Sequence, residues 1–207
     1  MAVLFFVGSG PYKGYYLSGV SLVSPTVLLV NYYNNDSFLG KNGVPLETDP
    51  SVSYDTAAES EGFGQRYTAS AQGLLTGMQT ARLDDSATPF YDYSVLYYDS
   101  YGRLIQSKSS NHLTDEKDKE YIAYNFVGQP TKRKHVHSAT GKAVQTEIYS
   151  YTYDHAGRLL TTIHQLNDGS PVVLVSNEYY ELGRLKSNNR TDLSNLKRPI
   201  LTMFVHG

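Results

Sequence analysis

The sequence predicts an all-β protein, an antiparallel meander of repeated β-hairpins that forms an open, curved sheet. Three observations carry this prediction. First, Gly102, Gly128, Gly157 and Gly183 are spaced by 26, 29 and 26 residues, and each has a Tyr four positions before it. Second, the 207 residues include 19 Tyr and no Trp or Cys. Tyr suits the half-covered face of a sheet, because its ring is apolar and its tip is wet. Third, the segments between the glycines alternate with a period of two and are bounded by Gly, Pro, Asn and Asp.

Taken in chain order, residues 3–7, 15–23 and 26–33 are β-branched and aromatic and read as strands. They are broken at Gly8-Ser9-Gly10-Pro11 and Ser24-Pro25. Residues 38–50 are turn-rich, 57–73 are small and polar and read as loop or a short helix, and 74–83 read as another strand.

The four glycine-centred segments follow. They are Tyr98-Asp99-Ser100-Tyr101-Gly102-Arg103-Leu104, Tyr124-Asn125-Phe126-Val127-Gly128-Gln129-Pro130, Tyr153-Asp154-His155-Ala156-Gly157-Arg158-Leu159 and Tyr179-Tyr180-Glu181-Leu182-Gly183-Arg184-Leu185. Their chemistry is that of a turn. Asp99, Asn125 and Asp154 can accept a hydrogen bond from the backbone two residues on. Glycine at the fourth position enters the left-handed region without steric cost. The pattern therefore predicts a type I turn followed by a glycine bulge, a common hairpin connection. Further turns are expected at Ser138-Ala139-Thr140-Gly141 and Asn167-Asp168-Gly169, and a longer loop at 114–119. Together they predict about eight strands between Tyr91 and Arg190, a sheet roughly 38 Å wide at ~4.8 Å per strand. The expected organisation is a β-rich segment at 1–90, four repeats at 91–190 and an irregular or truncated tail at 191–207.

The Tyr-Asp-x-x-Gly-Arg-Leu unit resembles the YD repeat of the bacterial YD-repeat/RHS family, most closely at 98–104 and 153–159. Upstream, Val30-Asn31-Tyr32-Tyr33-Asn34-Asn35-Asp36-Ser37-Phe38-Leu39 and Gly62-Phe63-Gly64-Gln65-Arg66 look like the segment that precedes the repeats in long surface proteins of gut Bacteroidetes. The resemblance implies a strand spiral, a cell-surface or secreted setting, and work as a scaffold or as part of an encapsulating shell. Other family proteins are described as carbohydrate-binding. Four repeats are too few to close a shell, and the Asp-Pro-containing motif at which family toxins are released has no match here. The resemblance thus implies neither a toxin nor an autoprotease.

The remaining chemistry is spare. No nucleophile elbow, phosphate loop or dinucleotide fingerprint is present, so no enzyme activity and no cofactor are expected. Asp99 and Asp154 recur one per hairpin, which serves turns and does not pair carboxylates for acid–base work. His135 and His137 share a strand face, but no third metal ligand accompanies them, and no metal site is expected. Lys132 and Lys134 face one way on a strand and Arg133 the other. Together with a net charge of −2, this argues against nucleic acid. Tyr149, Tyr151 and Tyr153, with Tyr98 and Tyr124 at the repeated position, form rows that either pack across strands or stack on sugar rings. The apolar run at 3–7 is too short for a signal-peptide core. No stretch approaches the ~20 apolar residues of a membrane span, and no membrane insertion is expected. The expected partners are the remainder of a longer repeat chain, or a second copy joined through sheet edges, with carbohydrate as the alternative.

Overall fold

The computed structural model describes residues 3–68, 72–83, 89–110 and 117–190, and it is all-β. Strands β1 (Val3–Gly10) and β2 (Gly14–Ser18) form a two-stranded antiparallel sheet. The other ten strands form one sheet: β3 (Leu29–Tyr33), β4 (Leu75–Ala81), β5 (Tyr91–Tyr98), β6 (Leu104–Ser110), β7 (Lys117–Tyr124), β8 (Pro130–Ser138), β9 (Gln145–Tyr153), β10 (Leu159–Leu166), β11 (Val172–Tyr179) and β12 (Leu185–Arg190). Spatial order equals chain order, with β3 and β12 at the two ends, so the sheet is an open meander and not a barrel. The one helix among the described residues is a single turn, α1 (Ala57–Ser60).

The eight strands from β5 to β12 occupy the stretch between Tyr91 and Arg190, as the turn spacing requires. Three expectations are corrected. Gly8-Ser9-Gly10 was expected to break the first strand but continues β1, and residues 19–23, expected to be strand, lie beyond the end of β2. Residues 114–119 were expected to form a loop, yet Lys117, Asp118 and Lys119 open β7. In the ladder Lys117 pairs with Ser110 and Ser138, and Lys119 with Lys108 and Val136. Backbone pairing on both sides outweighs the weak strand preference of these polar residues. Residues 114–116 and the tail at 191–207 lie outside the described residues.

The chain divides into two compact units, Met1–Ile148 and Tyr149–Gly207. In the first, one sheet face is covered by the segment that joins β3 to β4. Phe38, Val44 and Val52 of that segment bury against Val30, Tyr32, Tyr93, Val95, Tyr97 and Ile105. Ala58 and Phe63 bury against Tyr121 and Ala123. Gly77 makes part of this packing possible. A Cβ there would lie 2.1 Å from Phe38, whose ring stacks on Tyr32 at 4.5 Å. In the second unit no described apolar side chain is fully buried. Its hairpins are held by their ladders and by the contacts described next.

Candidate functional site

The repeated turns adopt the expected geometry. In the first unit, Asp99 N–H donates to the Arg103 carbonyl at 3.0 Å and Gly102 N–H to the Asp99 carbonyl at 3.1 Å. Asn125, Gly128 and Gln129 repeat this pattern at 2.9 and 3.0 Å. In the second unit it recurs at Asp154, Gly157 and Arg158, and at Tyr180, Gly183 and Arg184. Gly102, Gly128, Gly157 and Gly183 all have positive φ, between 71° and 88°. The Asp99 carboxylate accepts from the N–H groups of Tyr101 and Arg103 at 2.9 and 3.0 Å. That of Asp154 accepts from Ala156 and Arg158, both at 2.9 Å. The Arg158 amide, opposed by desolvation and aided by the Arg158 side chain, holds the Asp154 carboxyl below its usual range.

The repeated Arg, to which the turn chemistry assigns no role, ties one hairpin to the next. Arg103 clasps its own Asp99, with Nε at 2.7 Å from the carboxylate. Its Nη1 donates to the Asn125 carbonyl of the following turn at 3.0 Å, and its guanidinium lies 4.8 Å from the centre of the Tyr124 ring. Tyr124 closes the loop by donating its hydroxyl to the Leu104 carbonyl at 2.9 Å. The second unit repeats the arrangement. Arg158 Nε lies 2.6 Å from Asp154, its guanidinium sits 4.6 Å from the Tyr179 ring, and its Nη1 reaches the Tyr180 carbonyl at 3.4 Å. The Tyr179 hydroxyl donates to the Leu159 carbonyl at 3.1 Å. Each latch joins an ion pair, a cation–π contact and two hydrogen bonds to main-chain carbonyls.

The departures from the repeat are accommodated locally. At Asn125 the partner is Gln129, and a neutral 2.9 Å amide pair takes the place of the ion pair. Tyr180 stands where the other repeats have Asp or Asn, and Arg184 packs on its ring at 5.2 Å.

The other candidates are placed as follows. Tyr98 and Tyr124 commit their hydroxyls to the carbonyls of Leu75 and Leu104, at 2.5 and 2.9 Å, and burial raises the pKa of both phenols. Tyr149 is half-buried, with its ring 4.7 Å from that of His164, and Tyr151 and Tyr153 are also half-buried. His137 Nδ1 lies 2.7 Å and His135 Nε2 3.3 Å from one oxygen of Asp118. Among the described residues no cluster of His, Asp or Glu is arranged to hold a metal ion. The basic run is split. Lys132 donates to the Glu61 carbonyl at 3.2 Å and Lys134 to the Glu61 carboxylate at 2.6 Å, whereas Arg133 pairs with Glu120. Among the described residues, no helix is long and apolar enough to cross a membrane.

No protein-family model matches the chain, and no curated protein matches it.

Proposed function

We propose that the chain is a non-enzymatic structural segment of a cell-surface or secreted protein of the YD-repeat/RHS kind, serving as scaffold or as part of an encapsulating shell. The observation that carries this reading is the latch at Arg103–Tyr124 and Arg158–Tyr179. In both latches the recurring groups are engaged in holding turns and joining hairpins. The Asp carboxylates cap their own turns, the Tyr hydroxyls bind neighbouring carbonyls, and the Arg side chains bridge. A repeat whose polar groups are used in this way is suited to extending a sheet, which supports a structural reading.

Limited proteolysis of the native product, followed by sequencing of the resistant core, tests the reading. The hairpins at 91–190 are expected inside a larger protease-resistant body built of further hairpins. A native protein ending at Gly207 with robust hydrolase activity would overturn it.

A further inference from the structure

The link between β3 and β4 is built like the repeat turns, although 38 residues separate its two halves in place of two. Tyr33 pairs with Leu75 in the ladder, as Tyr98 pairs with Leu104 and Tyr124 with Pro130. In each pair the register shifts at that Tyr, which leaves one extra residue on the returning strand. Asn34 N–H donates to the Leu74 carbonyl at 3.1 Å, the counterpart of Asp99 to Arg103. The Asn34 side chain accepts from Gly73 N–H at 2.7 Å, and Gly73 has φ +80°. The extra residue inverts the usual alternation, so that Thr76 and Gly77 are buried side by side, as are Ile105 and Gln106. Tyr98 reaches back to the Leu75 carbonyl at 2.5 Å, as Tyr124 does to Leu104.

The intervening segment is held on the sheet face through side chains, as at Tyr121–Asp55 and Tyr93–Ser51, and to a larger extent through its main chain. Gln106 makes a two-point contact with the backbone of Asp55, donating to its carbonyl at 2.8 Å and accepting from its N–H at 3.0 Å. Lys108 donates to the carbonyls of Pro50, at 3.3 Å, and Ser53. Tyr97 donates to the Val52 carbonyl, Gln79 to that of Asn42 at 3.2 Å, and Lys132 to that of Glu61 at 3.2 Å. Five side chains from β4, β5, β6 and β8 thus recognise peptide groups, which every residue type carries. We infer that the β4–β8 face is a surface that reads polypeptide main chain, and that residues 36–68 are its occupant in cis, part of a segment inserted into the turn of a first unit of the same repeat. The chemical class it accepts is a turn-rich polypeptide segment with a few apolar side chains, here Phe38, Val44, Val52 and Phe63, set into the sheet face.

The test separates occupant from surface while keeping nearly every residue. Deleting 36–71 leaves Tyr33-Asn34-Asn35-Gln72-Gly73-Leu74-Leu75, a turn of repeat length, and the removed segment is co-expressed as a second chain. The two are expected to copurify at equal stoichiometry, with β4 amides protected from hydrogen exchange on the side that faces β3. Gln106→Leu in the shortened chain is expected to weaken the association roughly tenfold, since both Gln106 bonds to the Asp55 main chain are lost while the Tyr121 bond to its carboxylate stays. Ser53→Ala in the segment keeps the gripped carbonyl and is expected to bind within about threefold. Failure of the pair to associate, whether or not the shortened chain folds alone, overturns the proposal. A Gln106→Leu variant that binds as well as its parent does so too.

Discussion

The guanidinium of Arg103 lies 4.8 Å from the centre of the Tyr124 ring, although the two residues belong to successive hairpins. Arg103 also holds the buried carboxylate of Asp99 and the carbonyl of Asn125. One side chain thereby fixes the turn behind it and the strand ahead. Arg103→Lys is expected to destabilise the protein by about 1–2 kcal/mol, because an ammonium cannot bond the carboxylate, reach the carbonyl and lie flat on the ring together. Urea unfolding gives the value, and a midpoint equal to the parent's would show that the planar fork is unimportant.

The Asn125–Gln129 pair suggests that the ion pair can be exchanged as a whole. Asp99→Asn alone leaves Arg103 without its counter-charge and is expected to cost about 1–3 kcal/mol. The double change Asp99→Asn with Arg103→Gln reproduces the chemistry of the second repeat and is expected to cost less than the sum of the single changes. Strict additivity of the three unfolding free energies would contradict this.

Two glycines separate strain from close approach. Gly128 has φ +88° and open space around a Cβ, so Gly128→Ala is expected to cost only the left-handed penalty, about 1–2 kcal/mol. Gly77→Ala forces the Phe38 ring off Tyr32 and is expected to cost about 3 kcal/mol or more. Thermal unfolding of both variants ranks them, and a reversed order would refute the packing assigned to Phe38.

Stability is expected to peak in alkaline solution, near pH 10. Burial beneath the turns at 50–53, with Lys119 adding repulsion, lowers the Lys108 pKa from 10.5 to about 8. Between these values the unfolded chain binds the extra proton, so stability rises with pH through that window. Burial raises the phenols of Tyr32, Tyr97 and Tyr121, and that of Tyr54 to about 12. The folded state keeps these protons after the unfolded chain has lost them, so stability falls as pH climbs above 10. Lys108→Met is expected to abolish the rise between pH 8 and 10 and leave the fall above 10 in place. Unfolding free energies measured across this range check both limbs.

The hairpins are legible in the sequence because their determinants are local. Asp99, Gly102 and their counterparts lie within four residues of one another, and the turn they specify sets the register of the strands on either side. The role of Arg103 is not legible in the same way, since its partners Tyr124 and Asn125 are more than twenty residues away. The unit at Tyr33-Asn34 is hidden because its glycine, Gly73, stands beyond an inserted segment. The covered face is hidden for another reason. Gln79, Gln106 and Lys108 are polar strand residues, yet they are fully buried and meet peptide groups of the insertion. The register shift that buries Ile105 next to Gln106 also breaks the period of two on which strand faces are assigned.

A double-mutant cycle between Arg103 and Tyr124 tests most directly whether successive hairpins are latched by the repeated residues. Arg103→Ala, Tyr124→Leu and the double variant are unfolded in urea, and the cycle is repeated for Arg158 and Tyr179. The latch predicts a coupling of about 0.5–1 kcal/mol or more in both cycles. Coupling indistinguishable from zero in both would contradict it.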